Sequence, residues 1–426
     1  MVQKQIAVIG GGVIGVSTAY FLAAAGHQVV VIERRGNVAE EASFGDAGVM
    51  APGYVTPWAR PGMPKHLLAY LFKQETPLML PRKMDPALWR WIRLWLSECE
   101  LENFCTNMHR MQRLIAYSSD TLLQMERQLQ LQDLPIDKKT QGYLQLFRTA
   151  QDVALAEPAL AILAELNSAH RLLDTDAVRQ LEPALASQTA LAGGLYLPHS
   201  TTANCSLFTK QLKQIAMSMG VEFIFGNSVS TITQKNNQLA LEIGETSFSA
   251  DAIVLAAGAE SARMLKNLGI NTPLFSVKSF AATATVKDMD AVPIAALMDE
   301  TYRVSITRMG NRIRLAGTAE LASRSATVPE AARRTLRKIG IDWFPHAANY
   351  NNANFWCGLQ ATLPDGPPLI GTTPIRNLFV NIGHGANGWA MAAGTGKLVA
   401  DIVSEREPEI DLDGLTLARY GVRSFS

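Results

Sequence analysis

The chain opens on a compact apolar run, Ile6 to Ile9, that ends in glycines and reads as a strand buried on both faces. Good helix formers then fill Val13 to Ala25, and Gly26 is a natural stop. A second buried strand follows over Gln28 to Ile32, so the first 33 residues predict a right-handed strand–helix–strand unit. Residues 40–64 are punctuated by Gly45, Gly48, Pro52, Gly53, Pro57, Pro61, Gly62 and Pro64, and read as loop. Helical periodicity covers roughly 85–131, with Trp89, Trp91, Trp95 and Phe104 as aromatic anchors.

Leu144 to Phe147 predicts a strand, followed by Ala- and Leu-rich helices to about residue 186. Phe208 to Met219 predicts an amphipathic helix closed by Gly220. Strand patterns then cover Val221–Phe225, a meander over Val229–Phe248 and a buried strand over Asp251–Ala257. Repeated alternation from Leu274 to Ala319 predicts an antiparallel sheet, with Gly310-Asn311 as a hairpin turn. A charged helix is expected over about 329–339, and the last hundred residues return to the opening pattern: strand Leu378–Ile382, a glycine-rich turn, and helix Trp389–Ser404. The predicted fold class is α/β. It pairs a discontinuous Rossmann-like dinucleotide domain (1–84, 191–272 and 346–426) with an α+β substrate domain on an antiparallel or mixed sheet (85–190 and 273–345).

Composition narrows the function classes. Hydrophobic residues make up 48% and charged residues 18% of 426, which describes a folded globular chain. A net charge of +1 gives no basis for a nucleic-acid partner. Cys99, Cys105, Cys205 and Cys357 lack metal-ligand spacing and read as reduced thiols, so no metal site is expected. Gln3-Lys4-Gln5 runs straight into the first strand without a secretory signal, and no apolar run reaches the ~20 residues of a spanning helix. A cytoplasmic protein is expected.

Gly10, Gly12 and Gly15 stand between strand and helix in GxGxxG spacing, with Val13 and Ile14 opening the helix. The glycines permit a tight turn, close approach of backbone to a pyrophosphate, and close packing of helix on strand. The helix N-terminus offers unsatisfied N–H groups and a favourable dipole for the anion. Glu33, followed by Arg34, closes the second strand where a carboxylate can bind ribose hydroxyls. Two later glycine elements follow strands: Ala257-Gly258, and Gly383-His384-Gly385 with Asn387-Gly388. The last sends glycines into a helix N-terminus that can face a flavin's pyrimidine edge; an NAD enzyme has no obvious need of it.

The N-terminal GGGVIG, the loop Ser43-Phe-Gly45-Asp46-Ala47-Gly48, Pro52-Gly-Tyr54, Tyr143 to Arg148, Asp299 to Tyr302, Ile306 to Arg308, Asn311 to Arg314, Gly371, Gly388-Trp389 and Ala418 to Tyr420 occur in order. On these the chain resembles the D-amino-acid oxidase-type family of FAD enzymes over nearly its whole length, most of all the bacterial D-amino-acid dehydrogenase branch. The resemblance implies non-covalent FAD, contacted further by Val49, Val229 and Gly358. It also implies hydride transfer from the α-carbon of an amino acid to flavin N5, giving a 2-oxo acid and ammonia, with electrons passed to quinone. Oxygen-using amine or imino-acid oxidases, and a flavin-binding sensor with a decayed site, are the alternatives.

Two positions depart from the family. Gln360 stands where relatives carry an arginine that clamps the substrate carboxylate. Arg303 and Arg308 are the candidate replacements, against the plain reading of solvated strand charges. Asp46 stands where relatives usually have asparagine. Tyr54, Tyr143 and Tyr302 are candidates for the cavity or for packed aromatics, and His384 for a place beside the flavin. Lys278 resembles a position close to the flavin or is a surface lysine, while Cys357 is either a covalent flavin link or an inert buried thiol. Residues 58–95 interleave aromatics with Arg60, Lys65, Lys73, Arg82, Lys83, Arg90 and Arg93, the composition of a peripheral contact with the inner face of a membrane, of a solvated helix, or of an active-site lid.

Overall fold

The computed structural model describes residues 2–65, 75–81, 85–129, 136–139, 141–235, 238–321, 325 and 327–422. Lys73, Arg82 and Lys83 of the basic aromatic segment lie outside the described residues.

Two sheets organise the chain. The first has six strands in the order Leu369–Thr372, Leu378–Ile382, Ala252–Leu255, Gln5–Ile9, Gln28–Ile32, Glu222–Ile224. All neighbours are parallel except the outermost pair, Leu369–Thr372 with Leu378–Ile382. Strand alternation explains why these runs are apolar on every residue. Ile6 and Val8 pack into a core with the helices Val13–Ala24 and Gly388–Val403. Ala7 and Ile9 pack on the other face against Val229, Ile232, Leu239 and Leu241 of the three-stranded meander. Burial on both faces is the reason no polar alternation marks these strands.

The second sheet has nine strands among the described residues, including Tyr143–Phe147, Phe275–Thr285, Ala296–Asp299, Val304–Met309, Arg312–Leu321 and Asn354–Thr362. Its outer face carries Phe280, Val304, Ile306 and Leu315 against Leu336, Ile339 and Trp343 of the helix Glu330–Trp343. Its inner face looks toward the six-stranded unit. The strand Asn354–Thr362 pairs antiparallel with Phe275–Thr285, which brings Gln360 opposite Val277.

The helical segment expected over about 85–131 is two helices, Pro86–Ser97 and Leu101–Leu129. They break because their buried faces serve different neighbours. Trp91 and Trp95 pack around Trp58, with centroids 6.0 and 5.8 Å away, whereas Ser118 of the long helix donates to the Ala390 carbonyl at 2.8 Å. The helix expected from Phe208 begins at Cys205, capped by the Asn204 side chain, which accepts from the Leu207 N–H at 3.2 Å.

Candidate active site

Two cavities meet between the sheets. The first runs along the C-terminal ends of the parallel strands, where ligands of such sheets bind. Its floor is the glycine turn. A Cβ on Gly10 would fall 2.5 Å from the Ala256 carbonyl oxygen, and one on Gly15 only 1.9 Å from the Gly10 carbonyl oxygen. Gly15 therefore packs helix on strand and does not itself line the cavity. Gly12 does line it, and a Cβ there would meet only Ser43 Oγ at 3.4 Å. Ser43 Oγ also accepts from the Val13 N–H at 3.0 Å, tying the loop to the helix start.

Glu33 is oriented by two backbone donors: Oε2 accepts from Gly11 at 2.6 Å and Oε1 from Arg35 at 2.7 Å. Each oxygen keeps a further lone-pair site for a ligand hydroxyl. Val13, Ile14, Arg34, Val229, Ala257 and Gly258 line the same end of the cavity. At the other end are Gly383, Gly385 and Gly388, beside the helix Gly388–Val403. Asn227, Ser228 and Arg263 also line the cavity and carry no motif in the sequence, while Asn381 lines it from the strand Leu378–Ile382. The nearest sequence signal to Asn227 and Ser228 is the turn glycine Gly226 after a short strand, at the sheet position next to Glu33, and to Arg263 it is Gly258.

The second cavity is mostly apolar, lined by Trp58, Met63, Met111, Val277 and Leu363 among others, together with Gly45, Ala47, Val49 and Asn387. Among the described lining residues Arg303 is the one lysine or arginine and Asp46 the one acid. Arg303 adopts φ +54°, a left-handed backbone uncommon for a residue with a side chain. Gly317 makes this possible, because a Cβ there would fall 2.1 Å from the Arg303 carbonyl oxygen. Asp299 holds the preceding turn, accepting from the Tyr302 N–H at 3.1 Å, Trp343 Nε1 at 2.7 Å and Arg148 Nε at 2.8 Å.

The Arg303 guanidinium bonds both Glu300 oxygens at 2.9 Å. Glu300 also receives Arg60 and Gln145. Burial alone would raise the Glu300 carboxyl, yet the charges of Arg303 and Arg60 bring it below its ordinary value. Two cations thus share one anion, and the cluster keeps a net positive charge beside the cavity. Tyr54 lines the cavity with the Arg303 guanidinium 5.9 Å from its ring centroid.

Asp46, Gln360, His384 and Gly385 line both cavities and so form their junction. Burial drives the His384 imidazole down to about 3, so it is neutral, with Nε2 3.2 Å from Thr395 Oγ1. Burial pushes the Asp46 carboxyl up to about 6, against the pull of the Gly48 N–H and the Arg314 guanidinium.

Several expected site residues lie elsewhere. Arg308 lines neither cavity and donates from Nε to the Gly310 carbonyl at 3.1 Å. Tyr302 lines neither, its ring lying 5.0 Å from the Arg148 guanidinium and 5.9 Å from Lys338 Nζ. Tyr143 is fully buried behind Tyr54, with ring centroids 4.5 Å apart. Gly48 and Gly358 are packing positions, against the Ala203 carbonyl and the Trp356 ring. Lys278 is neither beside the cavity nor on the surface: it is 1% exposed, and Nζ donates to the Thr327 carbonyl at 2.5 Å and Ser325 Oγ at 3.1 Å. Its strand neighbours Val277 and Ser279 take the cavity face, so alternation turns Lys278 away. For the same reason Cys357 packs with the outer-face core, opposite Gln360, and cannot reach a cofactor in either cavity.

An extended groove over a glycine turn, opening into a separate chamber, is the layout of an oxidoreductase that binds a dinucleotide and acts on a small molecule beside it. The chain belongs to the FAD dependent oxidoreductase family (DAO), whose model matches residues 5–402. It is 41% identical over 418 residues to D-amino acid dehydrogenase 1 of Mesorhizobium japonicum, covering 98% of this chain and 99% of that protein. It is 39% identical over 418 residues to D-amino acid dehydrogenase of Rhizorhabdus wittichii, covering 98% and 100%. Among solved structures, glycine oxidase from Geobacillus kaustophilus superposes with a TM-score of 0.75 at 21% identity, covering 98% and 99% of the two chains. L-proline dehydrogenase from P. horikoshii does so with a TM-score of 0.73 at 17% identity, covering 98% of each. The first cavity fits FAD: Gly12 leaves room at the helix N-terminus for a pyrophosphate, and Glu33 stands where a ribose falls.

Proposed function

We propose that the protein oxidises the carbon–nitrogen bond of D-amino acids, yielding a 2-oxo acid and ammonia. The observation that carries the reading is the chamber whose one lining arginine or lysine among the described residues is Arg303, joined to the cofactor groove through a shared wall. When bound, FAD supplies the hydride acceptor. Arg303 binds the substrate carboxylate and so takes the part that Gln360, an uncharged amide, cannot. Tyr54 closes the chamber beside it. The apolar walls exclude water and receive the side chain. The six-stranded sheet with its meander serves as the FAD unit and the nine-stranded sheet as the substrate unit. Anaerobic addition of a panel of D- and L-amino acids to the holoenzyme should bleach the flavin band with D-amino acids. No bleaching by any amino acid or amine would sink the assignment.

Quinone is the proposed electron acceptor, reached by peripheral contact with an anionic membrane face. No described helix is long and apolar enough to cross a membrane. The helix Pro86–Ser97 instead leaves Trp89, Leu94 and Leu96 exposed among exposed Arg90 and Arg93. Apolar anchors flanked by cations suit an anionic interface. Flotation with phosphatidylglycerol vesicles should recover the protein, and Trp89→Ser with Leu94→Ser and Leu96→Ser should cut recovery by about fivefold or more. Equal recovery of wild type and triple variant would remove this helix from the contact.

A further inference from the structure

We propose that Asp46 is a further catalytic residue of this site, the base that takes a proton from the substrate ammonium. The inference rests on the amino-acid reading above. An amino acid enters with a protonated nitrogen, whose lone pair must be freed before a C=N bond can form. A positioned base near the reacting carbon would take that proton as the C=N bond forms.

The junction of the two cavities is where substrate and cofactor meet, and among the described residues four belong to both walls: Asp46, Gln360, His384 and Gly385. Gln360 has no basic site and Gly385 no side chain. His384 is held neutral with its conjugate acid near pH 3, too weak a base to retain a proton at neutral pH. Asp46 remains. One of its oxygens, Oδ1, is anchored by the Gly48 N–H at 2.6 Å, which fixes the carboxylate in place. The groups facing it are Arg314, whose Nη1 donates to the Asp46 carbonyl at 3.0 Å, Cys205 behind the loop, and His384 across the junction.

The position relative to Arg303 also suits a zwitterion. Thr307 Oγ1 donates to the Ala47 carbonyl at 2.8 Å, so the loop carrying Asp46 is fastened to the strand that Arg303 precedes. Three residues, Val304 to Ile306, lie between Arg303 and Thr307, so Arg303 and the Asp46 loop stand at the two ends of one short segment beside the second cavity.

The step balances without a further reactant. The ammonium N–H bond breaks, its proton passes to the Asp46 carboxylate, and the freed lone pair forms the C=N bond as the α-hydrogen departs with its electron pair to FAD. A carboxyl poised near pH 6 is ionised and ready at neutral pH, yet basic enough to take the proton transiently. Since the base must be ionised, kcat/KM should fall as pH drops through about 6.

The test compares wild type, Asp46→Asn and Asp46→Glu as holoenzymes. Asp46→Asn should lose about 100-fold in kcat/KM and lose the acid limb near pH 6, while Asp46→Glu keeps an acid limb. A second measurement needs no turnover: pH titration of the substrate-free flavin spectrum should show a midpoint near 6 in wild type that is missing in Asp46→Asn. An acid limb or spectral midpoint unchanged in Asp46→Asn overturns the proposal while leaving the amino-acid reading intact. If no amino acid reduces the wild-type flavin, the parent reading falls and this role falls with it.

Discussion

Arg303→Ala is expected to raise KM for a D-amino acid by about 100- to 1,000-fold with FAD still bound. The magnitude is that of a paired charge-assisted contact, about 3–4 kcal/mol when both hydrogen bonds are lost. Arg303 lines the second cavity and not the first, so the visible flavin spectrum should survive the change. Glu300 would retain Arg60 and Gln145, which keeps its buried charge compensated. Arg303→Lys should recover part of the loss, since a point charge replaces a planar fork. Arg308→Ala serves as the control and should change KM by less than about twofold, as expected for a residue away from the site. Steady-state kinetics with one good substrate decide the matter. A KM for Arg303→Ala within about threefold of wild type, below the worth of one charged hydrogen bond, would place the carboxylate elsewhere.

Gly12→Val should produce a folded but colourless protein, with FAD affinity reduced by at least about 100-fold, since a branched side chain would occupy the phosphate's place. The backbone at Gly12 is extended, φ −72°, and a Cβ meets only Ser43 Oγ, so the chain itself tolerates the substitution. Gly15→Val differs in kind. Its Cβ would lie 1.9 Å from the Gly10 carbonyl oxygen, a backbone atom that cannot step aside without moving helix from strand. That variant should lose stability as well, by several kcal/mol on the scale of core overpacking, about 1–3 or more. Flavin content per protein, with a thermal melt for each variant, separates the two failures. Normal flavin content in Gly12→Val would remove the glycine turn from the cofactor site.

The cofactor half of this protein was legible because its chemistry is local. A turn, a helix start and a strand-ending acid lie within 33 residues, and their spacing is the geometry. The substrate half was not. Tyr302, a site candidate, sits in a turn against Arg148 and Lys338, while Lys278 and Cys357, each open between a place by the flavin and an ordinary one, are turned to the outer face by strand alternation. Arg308 lies within the strand Val304–Met309, whereas Arg303 sits in the left-handed turn before it, so alternation along the sequence does not relate their faces. Asn227 and Ser228 reach the groove by sheet order, which no local pattern encodes.

Read alone, the amino-acid sequence determined a dinucleotide fold and pointed to its glycine turn and to Glu33 as an expected ribose partner, because the strand, turn, helix and acid follow one another within 33 residues. Tertiary structure placed Arg303, and not Arg308, on the wall of the second cavity and put Asp46 on the wall common to both. Which face of a strand a side chain takes depends on register, on the left-handed turn at Arg303 and on the gap at Gly317 that admits its carbonyl. Those are properties of segments far apart in sequence and pressed together only when the sheets close.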